Sequence, residues 1–434
     1  MEHHRRTLLI WGIGALVAAL LIVSGAFFAS RLTAKDPNGP VPSPSSSPSP
    51  SASPSETVVP TVGGADLITV ADADKIVPGA SWAIANTAVT REEAERRVTC
   101  LSTLVSESNP TDTFQRSMGS SEDDLLAALH QVDLFANEGA ARQVQTERAD
   151  ALASCDEAPA HIRSSTTVTN LGDEAIQITV ALQEEATTFH TVLLVRTGRA
   201  LTMLDVTRTG SAVEVDGAVA ALERSLGDIC TRADGVCPAE PTVTVAAPPP
   251  VDPAGWLITA DLPRLRAGYG RWVVTEPADI TSQGMGCENM TLATEPGPTS
   301  RQQRTYLLTQ DDAMPETFGM DEMTFNFADN VSARLFTTKL INSLLSCKDR
   351  LLTAEITDRA AINGTGANGV AVSSRLITID QAISDDTSVR YQLVVSIADT
   401  RVSYLLASVT SSYQFSNVAM QELALRTAQR NSQG

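Results

Sequence analysis

The chain has 434 residues, long enough for two domains with hydrophobic cores of their own. Its formal net charge is −19; residues 1–36 contribute +2, so the remainder carries −21. So acidic a surface repels phosphate backbones and anionic headgroups, which excludes nucleic-acid binding as the main role and fits a soluble, solvated exterior.

Residues 1–7 form a short tail with Arg5 and Arg6, expected in the cytoplasm. Leu8 to Ala29 is an uncharged, mostly apolar run of 22 residues. A helix of ~20 residues spans a bilayer, and the preceding arginines favour a cytoplasmic N-terminus. Residues 8–29 are therefore expected to be a transmembrane anchor, with all that follows outside the membrane. The competing reading is a cleaved signal peptide, with Ser24-Gly25-Ala26 as the cleavage site. The run is longer than the ~7–15 residues of a signal core. Residues 30–62 are rich in Pro and Ser, most densely from Pro40 to Ser55. Such a segment cannot bury a core and extends as polyproline II, so it reads as a stalk.

Beyond the stalk the chain repeats itself. Leu67-Ile68-Thr69 returns as Leu257-Ile258-Thr259, and Trp82 and Trp272 follow at related distances. Phe135-Ala136-Asn137 returns as Phe327-Ala328-Asp329. In both copies the capping residue, Asn137 or Asp329, lies 18 residues before a Cys. Ala141-Arg142 and Leu152 match Ala333-Arg334 and Leu344. An internal repeat fixes the domain count. The reading is a first domain at 63–238, a Pro-rich linker at 239–254 and a second domain at 255–434.

In the first copy, Thr90-Arg-Glu-Glu93 is a capping box, so a helix is expected from Arg91 towards Cys100. Residues 138–154 read as a helix with Ala141, Val144, Ala151 and Leu152 on one face and Cys155 at its end. In the second copy Val331, Leu335, Leu340, Leu344 and Leu345 supply that face. Four strands are expected next in each copy, rich in β-branched residues. They are Thr166–Thr169, Ile176–Val180, Thr191–Val195 and Ala200–Val206, then Val370–Ser373, Arg375–Ile379, Tyr391–Ile397 and Val402–Val409. Gly172-Asp173, Thr197-Gly198 and Ala398-Asp399-Thr400 are short turns, which makes neighbouring strands antiparallel. A helix ends each copy, at Asp216–Leu226 and Asn417–Gln429. The expected fold class is α+β: two repeated domains, each a twisted antiparallel sheet with packed helices, behind one transmembrane helix.

The six cysteines are even in number and follow a membrane segment, which suits disulfides. The repeat aligns Cys100 and Cys155 with Cys287 and Cys347, so each pair is expected to close inside its own domain. Cys230 and Cys237 remain, seven residues apart, to close a local loop. A zinc site is the competing reading, but no Cys-x-x-Cys occurs and no His lies beside a Cys. No metal and no cofactor are expected.

An early Cys, a Phe-Ala-Asn/Asp cap, a helix ending in Cys, an antiparallel meander and a terminal helix together resemble the PknH-like extracellular sensor domain. Actinobacteria carry that domain outside receptor Ser/Thr kinases and in stand-alone envelope proteins, and the Arg-over-Lys ratio of 28 to 4 suits such a high-GC genome. The resemblance covers both copies. It implies an open cleft for a ligand in each domain: a small molecule, a lipid or a cell-wall fragment. The sequence departs from the family in lacking a second disulfide in each meander, since no Cys lies between Cys155 and Cys230 or after Cys347. It carries no kinase domain, so a kinase would act only as a partner.

Catalytic signals are weak. His130, His161 and His190 all lie in the first copy, and neither Gly-x-Ser-x-Gly nor His-Glu-x-x-His occurs. Asp72 and Asp74 fall short of a calcium loop and fit a helix cap. The adjacent acids Asp123-Asp124 and Asp311-Asp312 fit solvated loops better than a glycosidase pair. Asn289, Asn330 and Asn363 lie in Asn-x-Ser/Thr triplets, which matter only where a secretory pathway glycosylates. Trp82 and Trp272 are the candidate ligand-binding residues, because Trp stacks on sugars and rings; core or cleft-wall packing is their plainer role. The expected function is a non-catalytic, membrane-anchored sensor in the cell envelope. The alternatives are a scaffold for envelope proteins and a hydrolase confined to the first copy.

Overall fold

The computed structural model describes residues 61–101, 109–120, 126–157, 159–359, 361–384 and 387–434. The expected anchor at 8–29, nearly all of the stalk and the Asp123-Asp124 pair lie outside these residues. Among the described residues no helix is long and apolar enough to cross a membrane.

The fold is α+β, with two antiparallel sheets of eight strands each. The first holds β1 (Trp82–Ala88), β2 (Asp112–Ser120), β3 (Leu126–Leu134), β4 (Ala160–Thr169), β5 (Glu174–Gln183), β6 (Thr187–Thr197), β7 (Ala200–Thr209) and β8 (Thr242–Val245). Their order is β1-β2-β3-β7-β6-β5-β4-β8. The second holds β9 (Arg271–Val274), β10 (Ser300–Thr309), β11 (Gly319–Asn326), β12 (Ala354–Asp358), β13 (Ile362–Thr365), β14 (Ala371–Ser384), β15 (Thr387–Ala398) and β16 (Arg401–Val409). Read from its other end, the order β9-β10-β11-β16-β15-β14 repeats β1-β2-β3-β7-β6-β5, and β12 and β13, both on β14, stand where the first sheet has β4. The linker strand β8 is an addition that caps β4.

Side-chain alternation explains how one sheet carries a helix on each face. In β6, Leu193 and Val195 pack with Leu222 and Leu226 of the helix α2 (Val215–Ile229). Val192 and Leu194 point the other way, onto Val144 and Leu152 of α1 (Glu138–Ser154). The second half repeats this. Leu393 and Val395 meet Phe336 and Leu340 of α3 (Asn330–Leu345), and Val394 meets Leu423 of α4 (Asn417–Asn431).

Asn137 and Asp329 cap α1 and α3 as expected, their side chains accepting from the N–H of Ala140 and Ser332. The face expected for α3 is corrected. Val331 and Leu335 are 62% and 67% exposed, because Ala333, Phe336, Leu340 and Leu344 set the buried stripe. The helix expected from Arg91 is also absent. Glu93 N–H donates to Thr90 Oγ1 as in the box, but Glu93 Oε2 accepts from Val89 N–H instead of Thr90 N–H. Residues 91–93 form only a turn, since this exposed stretch has no apolar face to offset helix nucleation. Gly198 takes φ +55 in its turn, where a Cβ would lie 1.9 Å from Ala233 O, so only glycine fits.

The disulfides are Cys100–Cys155, Cys230–Cys237 and Cys287–Cys347. Each ties to its own half. The bridge Cys287–Cys347 spans 60 residues, so replacing both with Ser is expected to destabilise the protein by about 2–4 kcal/mol, read from urea unfolding.

Candidate functional site

The two halves meet through buried charge. Leu257 to Asp261 enters the second half, and a 3-10 turn at Thr259–Asp261 places the Asp261 carboxylate against α4. Ile258 N–H caps it at 3.0 Å; Arg430 donates Nε at 2.9 Å and Nη2 at 3.2 Å, and Arg426 Nε lies 3.5 Å away. Arg430 also donates to Ala153 O at the end of α1 (3.1 Å) and to Pro249 O of the linker (2.9 Å). Burial, together with the charge of Arg430, pulls Arg426 down to about 10 even against Asp261. Arg163 of β4 pairs with Glu422 of α4 at 2.5 Å, and Arg264 donates its N–H and Nη1–H to Gln183 Oε1 and O, both at 2.7 Å.

Beside these locks lies a cavity of about 450 Å³. The first half lines it with Cys155, Asp156, Glu157, Pro159, Ala160 and Gln183; the second with Leu262, Arg264 and the run Gly270 to Val274. Cys155 is held by its bridge, and Glu157 is fixed as Cys100 N–H donates to its Oε1 at 3.0 Å. Asp156 and Arg271 are exposed at the cavity, so both signs of charge are present. The Nε–H of Arg264 is buried without a hydrogen-bond partner among the described residues. The arrangement can bind a polar, roughly neutral ligand, and its described lining residues include no histidine and no free thiol.

The candidate tryptophans divide. Trp272 lines this cavity but is itself buried. It stacks on Phe415 (6.1 Å between rings, 8° apart) and donates Nε1–H to Pro263 O at 3.0 Å, so it forms the wall. Trp82 packs in the core under α2, away from the junction.

The histidines are structural in position. His130 is fully buried on β3, where its Nδ1 accepts from Ile68 N–H at 3.1 Å. Burial, then the nearby charges of Arg116 and Arg224, push it down to about 3. His161 is buried on β4, its Nδ1 without a hydrogen-bond partner among the described residues; burial, then the charges of Arg163 and Arg426, hold it too at about 3 against the opposing charge of Asp261. His190 Nδ1 is 2.7 Å from Thr99 Oγ1 and 3.0 Å from Asp205 Oδ1. The shorter contacts both fall on Nδ1, with Thr99 Oγ1 3.5 Å from Nε2, whereas a hydroxyl–imidazole–carboxylate relay places its hydroxyl and carboxylate on opposite ring nitrogens. Burial opposes protonation of His190, but the bond and charge of Asp205 outweigh it and raise its pKa.

Asp72 accepts from Thr69 N–H and Arg224 Nε, both at 2.8 Å, which is the cap reading. Asp311 is buried under Arg266 and Tyr413, with Tyr413 Oη–H donating at 2.7 Å. A second cavity, of about 570 Å³, lies over Gln115 and is lined by Asn86, Glu93, Glu95 and Arg96, polar throughout. Neither the junction cavity nor its charge locks carried a sequence signal beyond Trp272, since the lining comes from segments far apart in the chain.

No family model and no curated protein matches the chain. Among solved structures, it is similar to a conserved hot-dog-fold protein of unknown function from Alicyclobacillus acidocaldarius. That match has 11% identity and a TM-score of 0.10, and covers 65% of this chain and 93% of that one. A likeness at that level carries no structural argument.

Proposed function

We propose that this is a membrane-anchored, extracytoplasmic binding protein of the cell envelope, non-catalytic, built from tandem PknH-like sensor domains and taking its ligand between them. The observation that carries the reading is the junction cavity: its volume of about 450 Å³ falls in the usual range for ligand sites, and both halves wall it. The apolar run Leu8–Ala29 supports the anchor, and three disulfides suit an oxidising compartment.

The test is a native mass spectrum of the full chain extracted from envelopes. An extra mass, lost on denaturation, is expected. Val273 lines the cavity and is half exposed, so Val273→Trp should fill the space without disturbing the core and remove that mass. A bare mass from the parent protein would defeat the reading. It would favour the scaffold, for which the exposed Val331 and Leu335 on α3 offer a contact.

A further inference from the structure

Resting on that reading, we propose that the junction ligand is a short extended peptide that adds as a strand to the free edge of β9. Five consecutive residues, Gly270 to Val274, line the cavity. Side chains of a strand alternate between its faces, so what all five share with the cavity is the backbone edge.

The register shows which groups that edge offers. Thr275 N–H donates to Thr305 O, and Gln303 exchanges both main-chain bonds with Ala278. Odd-numbered residues of β10 therefore turn their main chain towards β9. Leu307 pairs with Val273 and Thr309 with Arg271. Antiparallel ladders alternate, so the N–H and C=O of Trp272 and Val274 point away from β10, into the cavity. Among the described residues no other strand pairs with β9. The matching edge strand of the first half, β1, is broken by a bulge between Ile84 and Asn86, a common defence against strand addition. β9 has no such break.

Charge narrows the occupant. The exposed Arg271 and the unpartnered Nε–H of Arg264, whose Nη1 already lies 3.7 Å from the exposed Glu184 carboxylate, suit a carboxylate. Asp156 and Glu157 on the opposite wall suit a cation. The fitting partner is a zwitterionic peptide in extended form, held by main-chain bonds as in other strand-addition complexes.

The test exploits proline. Val274→Pro removes an N–H that makes no bond inside the sheet, and edge strands tolerate proline there. Val274→Ala keeps the N–H and trims the side chain. The probe is a degenerate library of acetylated, amidated hexapeptides, each with one Lys and one Glu, selected on the full-length chain. A retained peptide should slow hydrogen exchange at the Trp272 and Val274 amides. Its affinity should fall about five- to tenfold in Val274→Pro and stay near parental in Val274→Ala, with both variants melting as folded proteins. A retained peptide that leaves these amides unprotected overturns the proposal. So does failure to retain any peptide, even while the native protein carries a glycan or lipid. That last result leaves the binding reading standing; a bare native mass removes both.

Discussion

Asp261→Ala is expected to destabilise the protein by about 3–5 kcal/mol, measured as a lower urea midpoint at unchanged m-value. The side chains of Asp261 and Arg430 are 0% and 1% exposed, so water cannot take over when one partner goes. The variant leaves two guanidinium groups, Arg426 and Arg430, buried without their carboxylate. It also frees Ile258 N–H, which Asp261 caps. Arg430 holds Ala153 O and Pro249 O as well, so the loss reaches the first half and the linker. Adding Arg430→Met should recover part of the loss, because one unpaired buried charge disappears. The corresponding acid of the first half sets the scale. Asp72 pairs with Arg224, whose side chain is about a third exposed, so Asp72→Ala should cost nearer the 1 kcal/mol of an ordinary cap. Equal losses at the two sites would show that the junction is open to water.

The contrast between these acids marks what the sequence could reveal. Thr69 and Asp72 read as a cap because a cap is local. Asp261 likewise caps Ile258 N–H three residues back, but its charged partners lie 165 and 169 residues away, and nothing local reveals that its charge is buried. The repeat and the disulfide pairs were legible because Phe-Ala-Asn/Asp and Cys recur at fixed spacing. The strands after the first Cys helix were legible because Ile, Val and Leu crowd them; in the second copy Val370–Ser373 and Arg375–Ile379, read as two strands, run together as the single strand β14, and the short, more polar β12 and β13 before it were not expected. The strands before each Cys helix were not legible. β2 buries Thr113, Gln115 and Ser117 on one face, so it shows no apolar alternation. Those polar groups are satisfied out of sequence: Gln115 Nε2 donates to Arg96 O and Gln131 Oε1, and Thr113 Oγ1 to Asp133. β10 hides similarly, with Gln303 and Thr305 donating to Asp321. Trp272 was found through its rarity, and its role as a wall follows from Phe415 and Pro263, which lie elsewhere in the chain.

Acidification from pH 7 to 5 is expected to remove about 3–4 kcal/mol of stability, and two buried histidines should account for it. His130 and His161 are held at about 3 in the folded chain, against 6.5 when unfolded. The unfolded chain therefore binds more protons throughout that window. The sign follows: their contribution is complete above pH 6.5 and drains away as pH falls towards 3, by about 1.4 kcal/mol per unit for each imidazole. His190 cannot produce this slope. Its raised pKa contributes stability that is fully present below 6.5 and is lost only as pH rises through its folded value. Burial raises Asp150 and Glu322, which favours the folded state on acidification and so opposes the trend. Asp72 and Asp311, lowered below 3.8, act further down the scale. Urea unfolding at pH 7 and 5 separates these cases. His130→Gln with His161→Gln should flatten the dependence, whatever it does to absolute stability, and a slope that survives the double variant would assign the acid sensitivity elsewhere. Because a protonated His161 would stand buried against the charges of Arg163 and Arg426, acid should loosen the junction together with the first-half core. The ligand cavity should therefore weaken over the same pH range as the fold.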